Sequence, residues 1–178
     1  MKRTGWQQSW VRFLTTMLTA AVMIMIFVFS MQNAEKSDRT SGLISETVIR
    51  IIYEDYEQMD TASRRSIYAE VQHTVRKCAH FTEYLLLGIM LRLCLESWLG
   101  KSLKKRSLMF PGALTAGVLY ACTDELHQLM IDGRSGQWTD VLVDGGGVLI
   151  GVLIGMLIVQ KVAGSTAEEG AADGIFQN

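Results

Sequence analysis

Cysteine is scarce in this chain and badly placed for cross-linking. The three residues Cys78, Cys94 and Cys122 are odd in number, lie inside apolar segments and show no CxxC spacing. A disulfide framework or a structural zinc site is therefore not expected, and they read as small buried hydrophobes. Proline occurs once, at Pro111. Charge is missing over long stretches: of 178 residues 49% are hydrophobic, the net charge is -1, and most charged residues fall into three polar stretches. The glycine run at 145–147 lacks the Lys and Ser/Thr that a phosphate-cradling loop uses.

What is present is four apolar segments, near residues 13–31, 77–99, 108–130 and 140–159. About 20 apolar residues span roughly 30 Å of hydrocarbon at 1.5 Å per residue. Four such segments leave no room for a soluble enzyme domain. The expected fold is all-α, an integral membrane bundle of four transmembrane helices, and the mean hydropathy of +0.20 agrees.

Residues 1–12 carry Lys2, Arg3 and Arg12 without an acid, and precede an apolar run too long for a signal-peptide core. They read as a cytoplasmic N-terminus before an uncleaved first span. The short run GKSLKKRS at 100–107 carries four basic residues and no acid, which holds it in the cytoplasm. By parity the connection at 32–76 and the turn near residue 134 lie outside. In that connection Leu43, Ile44, Val48, Ile51, Ile52 and Met59, then Ile67, Val71 and Val75, recur at helical spacing. They predict two amphipathic interfacial helices, a lid on the outer membrane surface or a connector packed on the bundle. Residues 13–160 form the membrane domain, and the small, acidic stretch 161–178 reads as a disordered cytoplasmic tail.

Ala113, Gly117 and Ala121 stand four apart on the third span, as do Gly147, Gly151 and Gly155 on the fourth. Such stripes let backbones approach closely in lipid, and the short IDGRSGQWT connection suggests that these two spans face each other. At the other end of the second span Arg92 and Glu96 are spaced for an ion pair.

The informative pattern is the charge at the outer ends of three spans. Arg76, Lys77, His80, Glu83 and Tyr84 begin the second; Asp124, Glu125, His127 and Gln128 end the third; Arg134 lies in the turn; Asp140 and Asp144 begin the fourth. Spacings of three and four place these groups on shared faces within about two turns of one membrane surface. An uncompensated charge costs at least about 2.5–3.5 kcal/mol in a span, so a layer of this size calls for pairing or a function. His80 or His127 beside Glu83 or Asp124 suits a general acid or base acting on a lipid head group. Arg134, Arg76 and Lys77 suit a phosphate or carboxylate, with Tyr84, Glu125, Gln128, Asp140 and Asp144 completing the binding set. A metal on His80, Glu83, Asp124 and His127 matches no strong motif, and no metal or cofactor is expected. An ion-pair network fastening three helices is the remaining reading.

RKCAHFTEYLLLG followed by DELHQLMIDGRSGQWTDVLVDGGGVLIG resembles the VanZ-like family of small bacterial membrane proteins, over roughly residues 20–160. The family's marked positions fall on Lys77, His80, Glu83, Tyr84, Asp124, Glu125, Gln128, Arg134, Asp140, Gly147 and Gly151; Asp144 departs from the Asn common there. The resemblance implies a part in tolerance of glycopeptide antibiotics, teicoplanin in particular, at the cell envelope. The partners it implies are the lipid bilayer and a lipid-linked cell-wall precursor or lipoglycopeptide, with no nucleic acid. A membrane-embedded hydrolase or transferase acting on a lipid-linked phosphate or sugar is the alternative.

Overall fold

The computed structural model describes residues 5–31, 34–100, 103–131 and 138–175, with side chains described at 8–31, 41–100, 107–131 and 138–163. Among the described residues there are five helices and no strand: α1 Gly5–Ser30, α2 Ala34–Ile52, α3 Thr61–Leu99, α4 Leu103–Gln128 and α5 Trp138–Ile175. A 3-10 turn at Tyr56–Gln58 joins α2 to α3.

The surface is apolar and the interior partly polar, the inverse of a soluble domain. Phe13, Leu14, Ile24 and Val28 on α1, Leu119 and Leu126 on α4, and Leu142, Leu153 and Leu157 on α5 are exposed, whereas Thr19, Asp124, Glu125, Gln128 and Asp144 are buried. An apolar coat this extensive marks a lipid-facing surface. Three helical segments are long and apolar enough to cross a membrane: Gln8–Ser30, Thr61–Leu99 and Trp138–Ala163. α4 is not among them. Its charge-free stretch, residues 107–123, is about 26 Å long, short of the roughly 20 residues a full span uses.

α3 is the spine. Its 39 residues extend about 58 Å, nearly twice the hydrocarbon thickness. The second amphipathic segment expected on the membrane surface is therefore the first half of α3, continuous with the span. No proline and no glycine before Gly88 interrupts it, so helix propagates through the change in hydropathy. Asp60 starts the helix by accepting from the amides of Ala62 (2.9 Å) and Ser63 (3.1 Å). α2 packs on α3, and its small face allows the approach: a Cβ at Gly42 would lie 3.2 Å from the Tyr68 hydroxyl oxygen.

The glycine stripe of α5 faces α3, a correction to the expectation that it faces the third span. A Cβ at Gly147 would stand 2.5 Å from the Phe81 carbonyl oxygen, one at Gly151 would collide with the Leu85 carbonyl, and one at Gly155 would press on the Arg92 side chain at 2.9 Å. Gly88 returns the arrangement, since a Cβ there would strike the Val148 backbone. The expected third–fourth contact is also made, but by side chains: Gly117 on α4 receives Val148. Val148 and Val152 then join Val22, Ile26, Tyr84, Leu87, Ala113 and Ala121 in one core.

α1 and α3 meet through hydroxyls. Thr15 stands 3.0 Å from Ser97, Thr19 donates to the Met90 carbonyl at 3.3 Å, and the Trp98 indole donates to Thr16 at 3.1 Å. Arg12 Nε donates to the Ser97 carbonyl at 3.0 Å, meeting one of the acceptors a helix C-terminus leaves open. Arg92 and Glu96 pair at 2.9 Å as their spacing predicts.

One further expectation is corrected: Cys78 is exposed and Cys94 and Cys122 are half-buried, so none is a core residue. The backbone of α5 is helical to Ile175. Its alanines and glutamates are strong helix formers that extend a helix already nucleated.

Candidate functional site

Charged turns in the middle of α3, at the end of α4 and at the start of α5 converge in one layer. Lys77 Nζ on α3 is 2.9 Å from Asp140 Oδ1 on α5, and both side chains are about one-third exposed. One turn further along α3, His80 Nδ1 stands 3.7 Å from Glu83 Oε2. These four form the open side of the layer. Arg76, just before them, is half-buried.

Deeper in, the groups are closed to solvent. Tyr84 is fully buried, Asp144 is 1% exposed, and Asp124, Glu125 and Gln128 are buried as well. Gln128 Nε2 donates to Asp124 Oδ2 at 3.1 Å, the i+4 contact that α4 supplies. Tyr84 interacts electrostatically with Asp124 and Asp144, and Asp144 with Glu125, Asp124, Asp140 and Glu83. Five carboxylates from three helices thus share one layer.

Close packing brings them there. Gly147 sits one turn beyond Asp144 and lets α5 touch the α3 backbone at Phe81, three residues before Tyr84. α4 approaches α5 through Gly117, two helical turns before Asp124. The small residues set the depth at which the acids meet.

Polar satisfaction inside the layer is incomplete. The Tyr84 hydroxyl donates to Asp124, and Asp144 Oδ1 is buried without a hydrogen-bond partner. A buried acceptor of this kind costs about 1–3 kcal/mol when left unmet. Such a deficit is rare enough in a folded protein to call for an explanation.

Not every expected residue joins the set. His127 turns to α1, its ring centroid 4.8 Å from that of Phe27, and its Nδ1 has no hydrogen-bond partner. His80, Glu83, Asp124 and His127 do not form a common metal-ligand group: among the described residues no three His, Cys, Asp or Glu side chains stand close enough to hold a metal ion. Arg134 lies outside the described residues. Two contributors escaped the sequence reading. Tyr120, four residues before Asp124 and hence on its face, sets its ring tilted against that of Tyr84, centroids 6.3 Å apart, and donates to the Met23 carbonyl at 2.6 Å; that spacing was the available signal. Phe27 offered none, because nothing in an apolar run distinguishes the residue that meets a histidine.

A helical bundle with an apolar exterior, three helices able to cross a membrane and a buried polar layer at one end defines a helical membrane protein. The chain belongs to the VanZ/LLP1 family, whose model matches residues 15–159. No curated protein and no solved structure matches it.

Proposed function

We propose that the protein is a four-span VanZ-like membrane protein that engages a cell-envelope lipid, a lipid-linked cell-wall precursor or a lipoglycopeptide at the polar layer, and so contributes to glycopeptide resistance. The observation that carries this reading is the convergence of Lys77, Tyr84, Asp124, Asp140 and Asp144 from three helices into one layer with unmet polar groups. Membership of the family supplies the link to glycopeptides. α4 counts as the fourth span because its Leu119 and Leu126 are exposed while Ala113, Gly117 and Ala121 are buried. Both termini lie in the cytoplasm and the polar layer faces outward, since the two short basic stretches without an acid, residues 1–12 and GKSLKKRS at 100–107, belong to the other side.

Orientation is tested by cysteine accessibility, in a background without Cys78, Cys94 and Cys122. A membrane-impermeant thiol reagent on intact cells is expected to label Arg134→Cys and not Lys104→Cys. The reverse pattern would put the layer in the cytoplasm and end the antibiotic-facing reading. His80 beside Glu83 favours a second reading, a hydrolase or transferase acting on a lipid-linked phosphate or sugar. His80→Gln and Glu83→Gln would then abolish the phenotype in folded protein, whereas a binder weakens by degrees.

A further inference from the structure

The apolar stripe of α2 has no part in the polar layer. This helix packs on α3 through its small face, with Ser41, Gly42, Ser45 and Ile49 buried and Gly42 against the Tyr68 hydroxyl. Its apolar stripe is left outside, Leu43 and Ile51 each 75% exposed, Ile52 62% and Ile44 56%, the reverse of what an amphipathic helix does in a folded protein. Val48, in the same stripe, is half-buried. The screw of two antiparallel helices that meet at Gly42 and Tyr68 brings Ile67 and Val71 of α3, both half-buried, to the same side. Glu46 and Arg50 turn away from it. One side of the α2–α3 hairpin is therefore apolar, and the described side chains of the α2 stripe carry no charge.

What can cover this side follows from where it stands. The apolar part of α3, residues 77–99, supplies the span, so residues 61–76 carry the hairpin about 24 Å beyond the hydrocarbon. Lipid does not reach that height, and apolar surface left to water there marks a contact with protein. A second copy in the same membrane shares the orientation of the first, so a two-fold axis relating them runs along the membrane normal. That axis sets each residue of the stripe level with its own copy, where a charge would meet its like; a stripe without charge meets the condition. It also sets α2 of one chain against α3 of the other, in the antiparallel sense that α2 already has within the chain, and closes two hairpins into an up-and-down four-helix bundle. With a side about 28 Å long and two helices wide, at about 10 Å each, two copies together cover about 1,100 Å², above the ~1,000 Å² that a specific interface needs. We infer that the protein is a homodimer joined through the apolar side of its α2–α3 hairpins.

The dimer is independent of the ligand and of the side of the membrane on which the hairpin stands. Native mass spectrometry of the full chain in nanodiscs is expected to give twice the 19.9 kDa of one chain. Ile44→Glu combined with Ile51→Glu is expected to halve that mass and leave the circular dichroism of the wild type, since both side chains are exposed within one chain. In membranes, in a background without Cys78, Cys94 and Cys122, a short bismaleimide is expected to join Val48→Cys to its own copy and to leave Glu46→Cys, on the far side of α2, single. A monomeric wild type overturns the inference: Ile51→Cys closed to an impermeant thiol reagent in that monomer gives the stripe to lipid instead, and Ile51→Cys open leaves it without an occupant. A dimer that persists in the folded double variant, or cross-links equally at residues 46 and 48, overturns it too, by placing the contact elsewhere on the chain. If the double variant fails to fold, the wild-type mass and the cross-linking pattern decide alone.

Discussion

α3 and α5 meet twice, in opposite ways. Along Gly88, Gly147, Gly151 and Gly155 the two backbones touch and the contact is made by shape alone. At the neighbouring turns, where Lys77, Tyr84, Asp140 and Asp144 lie, the contact is made by charge and hydroxyl groups, some of them unmet. In lipid no hydrophobic force draws helices together, so the glycine seam gains its stability from van der Waals contact at short range. The polar layer, buried and incompletely paired, costs stability. The seam holds the bundle together, and the layer uses that rigidity to keep acids side by side that would otherwise move apart.

The largest expected effect comes from the seam. Gly151→Ala drives a methyl into the Leu85 carbonyl, part of a backbone that cannot rotate aside. Overpacking of this kind costs about 1–3 kcal/mol and sometimes more. Gly117→Ala meets the side chain of Val148, with Cγ1 2.5 Å away, and a smaller loss is expected as that valine shifts. Gly145→Ala meets only Val118 Cγ2 at 3.6 Å, so the better helix propensity of alanine leaves it neutral or more stable by about 0.5–1 kcal/mol. Unfolding of detergent-solubilised protein followed by circular dichroism orders the three. Equal effects at Gly151 and Gly145 would mean that backbone contact does not set the stability of the seam.

The polar layer was legible because its signals are local. Spacings of three and four put Asp124 with Gln128 and Asp140 with Asp144 on shared faces, and alternation of apolar segments with basic flanks brought three helix ends to one level. The partner of the glycine stripe was not legible. A small-xxx-small pattern says that a backbone approaches and is silent on whose; the short turn after Gln128 suggested α4, whereas the backbone that enters is α3. The helix boundary at Arg76 was misplaced for a related reason. Hydropathy changes sharply there, but hydrogen bonding along α3 does not. The threonine seam of α1 passed unread because Thr15, Thr16 and Thr19 look like ordinary members of an apolar run until Ser97, Trp98 and the Met90 carbonyl are opposite them.

A smaller effect is expected at the open side of the layer, where a double-mutant cycle on Lys77→Met and Asp140→Asn would show whether the pair fastens helices. Both side chains are about one-third exposed, so solvent screens them and the coupling is expected at about 0.2–1 kcal/mol. A coupling of several kcal/mol would mean that this side is closed and that the charges act as a structural clasp. The contrast between a stabilising seam and a functional layer would then dissolve.

The smallest effect lies outside both regions, at the start of α3. Asp60 accepts from the Ser63 hydroxyl and from the amides of Ser63 and Ala62, and these bonds, the Ser63 hydroxyl first, hold its carboxyl below the usual aspartate range. A group whose folded pKa is depressed contributes its stability above the unfolded value and loses it as pH falls through the folded one. The first turn of α3 is therefore expected to fray in acid. Amide exchange at Ala62, Ser63 and Arg64, corrected for the intrinsic pH dependence, should quicken below the ordinary aspartate range and do so at every pH in Asp60→Ala. Because the cap is exposed and 24 residues before Tyr84, the glycine seam and the polar layer should not follow it. If they did, the long first half of α3 would be mechanically coupled to the layer, and the two contacts between α3 and α5 would belong to one unit that extends to the tip of the α2–α3 hairpin.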